Sequence, residues 1–221
     1  MNEVKKNQDI FKSIRMMILE NLKLILISIG IILLTFIAFQ IYIFITINEL
    51  KKTSIQFFNV IENNEDIIDN LNKLNNNDNI FSTLSDLKII QKNNNQNNYE
   101  VSNRLYEKLI LSKNLNDLYK SSIAAHASYT LINASYNQNT MNYIDSISFY
   151  ISNINDQLEN YLSIKKELEY LLIITKLDLN KKNYKDNQEV RDLYNEITNS
   201  SLVSPSVKDR VKKIHEFQLY K

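Results

Sequence analysis

The chain has 221 residues, with 26 basic against 25 acidic side chains, no cysteine, no tryptophan, one glycine and one proline. A chain of this length has room for one globular domain beyond any membrane span, and the near-neutral balance excludes the concentrated basic face that nucleic acid requires. Without cysteine there are no disulfides, thiol chemistry or thiolate metal ligands, and a single glycine cannot build a Walker or GxGxxG phosphate cradle.

Residues 1–23 form a short basic head carrying Lys5, Lys6, Lys12, Arg15 and Lys23. From Leu24 through Ile47 no side chain is charged. As a helix rising about 1.5 Å per residue, that run covers about 36 Å, enough for a hydrocarbon core of about 30 Å. A removable secretory signal has a shorter apolar core followed by small residues for the peptidase. This run instead leaves through Asn48-Glu49-Leu50-Lys51-Lys52, so a retained anchor over 24–47 is expected. Only Lys51 and Lys52 follow closely, before the acidic Glu62, Glu65, Asp66 and Asp69. The positive-inside rule then puts the head in the cytoplasm and residues 48–221 outside it, with the anchor in the inner membrane and the remainder in the periplasm if the cell is a Gram-negative bacterium.

Tight hairpins need glycine or Asn-Gly at positive φ. Gly30 lies within the anchor and Pro205 near the end, so the exported part is expected to be all-α. A stalk helix and linker over 48–79 lead into a helical domain over 80–221. Apolar residues recur at helical spacing: Phe81, Leu84, Leu87 and Ile90; then Val101, Leu105 and Leu109; then Leu158, Leu162, Leu168, Leu171, Leu172 and Leu179. The pattern predicts a stalk helix near 50–74 and helices near 80–92, 99–112, 116–137, 141–155, 158–182, 187–199 and 205–220. The asparagine runs at 75–79 and 93–98 read as loops. In "SPSVKDRVKKI" Ser204 is placed to cap a helix whose first residue is Pro205.

Such helical pairs build either a bundle or a solenoid. "RLYEKL", "SFYISN" and "DLYNEI" place Tyr106, Tyr150 and Tyr194 at a constant interval of 44 residues, each after an apolar neighbour, which favours a repeat nearer the HEAT than the tetratricopeptide length. Each tyrosine is expected on the first helix of a pair, with its ring against the second. Ala124, Ala125, Ala127 and Ala134 fall together in "SSIAAHASYTLINAS" and mark a close helix contact.

No constellation for catalysis, cofactor binding or metal ligation emerges. Of the two histidines, His126 sits in the alanine segment and reads as a packed structural residue, while His215 follows Lys212 and Lys213 and reads as solvated surface. Glu167 and Glu169, interleaved with Lys165 and Lys166, and the Glu62, Glu65 and Asp66 group read as ordinary solvated helix faces. "NAS" at 133 and "NSS" at 199 match the glycosylation pattern of a eukaryotic secretory route.

A basic head and anchor followed by "FSTLSDLKIIQ", "YEVSNRLYEKLI", "SSIAAHASYTLI" and "SPSVKDRVKKI" resemble the YfgM-like tetratricopeptide family. Its members are ancillary subunits of the bacterial Sec translocon, and the likeness is nearest to short alphaproteobacterial relatives of unknown function. The resemblance is one of layout. It implies a TPR-like hairpin solenoid acting as a non-catalytic periplasmic scaffold, partnered by the translocon and periplasmic chaperones, with no small-molecule substrate. The Gly and Trp of the tetratricopeptide consensus are missing, which sets the family's peptide groove apart from this chain. The alternative is a single-span coiled-coil protein of the envelope or division machinery.

Overall fold

The computed structural model describes Met16 and residues 19–63, 67–74, 79–158 and 161–221. Lys5, Lys6, Lys12, Arg15, Glu65, Asp66 and residues 75–78 lie outside these. Among the described residues the chain is all-helical, with no strand. It divides into two units, Met1–Asn59 and Val60–Lys221.

Helix α1, Leu22–Asn63, has 42 residues and extends about 63 Å. Its most apolar 18-residue window has a mean hydropathy of 2.7, and none of that window is buried. It is long and apolar enough to cross a membrane. The few hydroxyls within the run turn back on their own helix: Ser28, Thr35 and Thr46 donate to the carbonyls of Leu24, Ile32 and Tyr42 at 2.8–2.9 Å. That satisfies them without solvent. A stalk beginning afresh near residue 50 does not occur. No glycine or proline interrupts residues 48–63, so α1 continues unbroken to Asn63 and a separate α2 covers Ile67–Leu74.

The second unit adds α3 (Ile80–Asn95), α4 (Tyr99–Leu111), α5 (Asp117–Gln138), α6 (Ile144–Ser152), α7 (Tyr161–Leu179), α8 (Gln188–Asn199) and α9 (Pro205–Tyr220). From α4 on these alternate in two series. The first helices start at 99, 144 and 188 and the second at 117, 161 and 205, so starts recur every 44 or 45 residues. From α2 on each helix packs on the next in the chain, and α5 on α7 and α7 on α9, whereas neither α3 nor α4 packs extensively on α8 or α9.

Asparagine punctuates the array at both ends of its helices. At N-termini the side chains of Asn79, Asn116 and Asn187 accept from backbone N–H groups of the first turn, as Ser204 does ahead of Pro205. At C-termini α3, α5 and α7 share one device. Asn97, Asn139 and Lys181 take the left-handed backbone at φ 58, 46 and 53. In each case the next residue's N–H reaches back five residues, Asn98 to Asn93, Thr140 to Ser135 and Lys182 to Leu177, at 2.9–3.0 Å. This is the Schellman cap, built three times without its usual glycine.

Two apolar clusters fill the unit. One gathers Tyr106, Ala124, Ala127, Leu131, Ile147 and Leu168; the other gathers Tyr170, Ile174, Val190, Ile197 and Val211. Helix α7 serves both, Leu168 and Leu172 facing the first while Tyr170, Ile174 and Leu177 face the second. The four clustered alanines are buried on α5, which packs against α4, α6 and α7. On α3 the buried line is Ser85, Asp86, Ile89, Ile90 and Asn93; of the predicted stripe Ile90 is buried and Leu87 packs on the core, while Leu84 is 37% exposed. This face brings Asp86 within 2.8 Å of Lys108 on α4, an attraction that apolar periodicity alone does not encode.

Because a non-glycine residue in the left-handed region costs roughly 1 kcal/mol, less for Asn, Asn139→Gly is expected to hold or raise stability by up to about 1 kcal/mol. Asn139→Val, β-branched at the same φ, is expected to lower it by at least about 1 kcal/mol. Urea unfolding of the full chain in non-ionic detergent, followed by circular dichroism, measures both; equal stability of the two variants would contradict the cap.

Candidate interaction surface

The polar residues buried between helices define the surface they leave free. On α4 the hydroxyl of fully buried Tyr106 accepts from Asn94 Nδ2 at 3.2 Å and meets His126 Nδ1 on α5 at 2.7 Å. Burial pushes the Tyr106 phenol up and the His126 imidazole down, so both are held neutral. In the last pair the Tyr194 ring of α8 stacks on His215 of α9 at 3.9 Å and 17°. The same imidazole meets the Tyr184 hydroxyl through Nδ1, and that hydroxyl meets the Tyr170 hydroxyl at 2.5 Å. His215 is therefore a half-buried hub and not the solvated surface residue expected from its lysine neighbours. Tyr106 and Tyr194 each meet the second helix of their own pair. Tyr150 instead directs its hydroxyl to the preceding pair, donating to Asn103 on α4.

A second correction concerns Glu167, read as solvated and found 3% exposed. Its carboxylate receives Arg210 Nε at 2.6 Å and Nη2 at 2.5 Å, and the Tyr129 hydroxyl at 3.0 Å. This joins α5, α7 and α9 at one point. A carboxylate cannot be buried without such partners. Nearer the C-terminal end of α7, Asp178 accepts from Tyr136 at 3.0 Å and from Gln218 at 3.0 Å, and burial holds the Tyr136 phenol up to about 12. Glu169 does lie at the surface, where Lys166 bridges it to Glu196 at 3.1 and 2.9 Å. Glu62 is exposed.

Between α7 and α8 an open groove of 640 Å³ has Leu172, Ile173 and Leu193 in its lining and Glu189 and Asp192 on its α8 side. Among the described residues no group of three or more His, Asp or Glu side chains could hold a metal ion. Neither histidine has a carboxylate in its hydrogen-bond set: His126 meets a phenol and His215 two phenols. The arrangement orders helices and presents a grooved surface. Comparison with protein-family models, curated proteins and solved structures finds no match.

The signal that could have found His215 was present. It stands 21 residues after Tyr194, as His126 stands 20 after Tyr106, so the tyrosine repeat carries an imidazole with it. Glu167 gave no such signal, because its lysine neighbours mimic an exposed face.

Removing one partner of the Glu167–Arg210 pair strands the other. With Arg210 half-exposed, Arg210→Ala is expected to destabilise by about 2 kcal/mol rather than the larger loss typical of fully buried pairs. Glu167→Ala should cost a similar amount, and the double variant less than the sum in a double-mutant cycle; strict additivity would show that the pair does not couple.

Burial holds both imidazoles below their ordinary value of 6.5. The unfolded chain takes up a proton near that pH and the folded chain resists it, so stability present above pH 6.5 is lost as the pH falls below it. Acidification from about pH 7.5 to about 5.5 is expected to lower the thermal midpoint, and His126→Gln with His215→Gln to flatten the dependence. With only two histidines in the chain, a slope unchanged in that double variant would rule them out.

Proposed function

We propose that the chain is a membrane-anchored, non-catalytic scaffold whose helical pairs form a TPR-like hairpin solenoid on the periplasmic side of the inner membrane. The observation that carries this reading is the 44- to 45-residue recurrence of helix starts together with packing between chain neighbours. That pattern is what a stack of repeats requires, because each repeat touches only the next. Stacked pairs leave long lateral surfaces for partner proteins without catalytic groups, and α1 would hold those surfaces close to other membrane complexes, raising their effective concentration. The excess of basic residues ahead of α1 supports a cytoplasmic N-terminus. The partners proposed, the Sec translocon and periplasmic chaperones, come from the YfgM-like layout alone. A coiled coil is the weaker reading, since the longest helix within Val60–Lys221 has 22 residues and sustained heptads need longer runs.

A reporter enzyme active only outside the cytoplasm, fused after Lys221, is expected to be active. A photo-crosslinking residue at Asp192, beside the α7–α8 groove, is expected to join the chain to translocon subunits or chaperones in native membranes. An inactive reporter would reverse the orientation, and crosslinks to neither class of partner would remove the translocon assignment.

A further inference from the structure

The turn from α7 to α8, residues 180–187, borders a cavity of 460 Å³ lined by Lys181, Lys182, Lys185 and Lys221, with Tyr184 and Gln218 also in its wall. The one acidic residue of that lining is Asp178, and it is already engaged by Lys221 at 2.9 Å, by Gln218 and by Tyr136. The acid of the turn itself, Asp186, accepts from Asn183 at 2.6 Å. Among the described residues Lys181, Lys182 and Lys185 have no carboxylate partner. Three like charges around one space repel unless an anion enters it.

A second observation is independent of charge. Lys181 holds the left-handed backbone at φ 53, at the cap position that Asn97 and Asn139 fill in α3 and α5. Asparagine tolerates that conformation and lysine does so less readily. In a chain rich in asparagine, lysine appears at the one cap that faces the basic cavity, and backbone strain retained at one of three equivalent positions points to function. Lysines at the end of α7 also complement its dipole, but that attraction does not call for the strained position to be one of them.

We propose that this cavity binds a phosphate group, borne either by a free phosphate or by a phospholipid headgroup. Ammonium groups offer N–H donors and no acceptor, and a phosphate presents several charged oxygens to receive them. The site does not depend on the scaffold reading.

The test uses the full chain in non-ionic detergent and phosphate-free buffer, with the thermal midpoint as readout. One arm adds inorganic phosphate against chloride at equal ionic strength. The other adds phosphatidylglycerol against phosphatidylcholine to the micelles. Lys181→Asn introduces the residue of the other two caps, so it should keep or raise the midpoint without ligand while weakening the response by about tenfold in midpoint concentration, the equivalent of one charge-assisted hydrogen bond. Lys181→Asn with Lys182→Gln and Lys185→Gln should abolish the response. Because the basic head also attracts anionic lipid, the loss in this triple variant, rather than lipid binding itself, reports the site. A response to either probe that the triple variant loses supports the proposal, and the probe that responds identifies the source of the phosphate. No response to either, or a response that the triple variant retains, overturns it.

Discussion

Helix α7 is the constraint on which the unit Val60–Lys221 depends. It sends Leu168 and Leu172 into one apolar cluster and Tyr170, Ile174 and Leu177 into the other, and no residue along it is fully exposed. A helix in that position must satisfy its polar groups inside the protein. Glu167 does so by drawing on the second helices of the pairs on either side, Tyr129 from α5 and Arg210 from α9. Eleven residues separate Glu167 from Asp178, about three turns, so both carboxylates lie on the same side of α7. Asp178 makes the second rung, to Tyr136 and Gln218. Apolar contact holds these three helices together, and the two rungs fix their axial register, since the fork of an arginine accepts a carboxylate in few positions.

The shortage of glycine shapes the rest. Three of the helix ends place a residue at positive φ, where glycine is the usual choice, and the only glycine lies in α1. Asparagine takes that place twice and lysine once, while further asparagines open α3, α5 and α8. One residue type can serve both ends of a helix because its side chain accepts from exposed N–H groups at an N-terminus and its short polar form tolerates the left-handed region at a C-terminus. An asparagine bias that looks like noise along the sequence is thus absorbed as punctuation, and three caps of one design follow α3, α5 and α7.

How much of this was legible in the sequence varied with the physics involved. The long apolar run, the absence of strands, the start of α9 at Pro205 and the alternation of helices from residue 80 onward all follow from local pattern, and the structure has them. The buried face of α3 was read only in part, at Leu87 and Ile90, because Asp86 turns inward to meet Lys108, a long-range ion pair that makes a polar position behave as core. Glu167 and His215 were misread for the same reason. Each is flanked by lysines, so local charge suggested solvent, and only partners more than 30 residues away along the chain, Arg210 for the one and Tyr184 for the other, make burial affordable. The separate stalk failed differently: a change in composition at residue 48 is not a helix stop unless glycine, proline or a cap accompanies it.

The middle pair shows why the repeat is imperfect where it matters. Counted by the interval, the position of His126 and His215 is held in the middle pair by Tyr170. Tyr170 does not turn back to Tyr150 as an imidazole would; it reaches forward through Tyr184 to His215. Tyr150, released from its own pair, reaches backward to Asn103. The middle pair is therefore tied by its phenols to the pairs on either side of it. Away from the two carboxylate rungs, identical pairs each closed on themselves would meet only through interchangeable Leu and Ile contacts, and such surfaces can slide or repack at little cost. By exchanging an internal hydrogen bond for two external ones, the middle pair makes the order of the three pairs a property of named polar contacts, because a shift of register would leave buried hydroxyls unpaired.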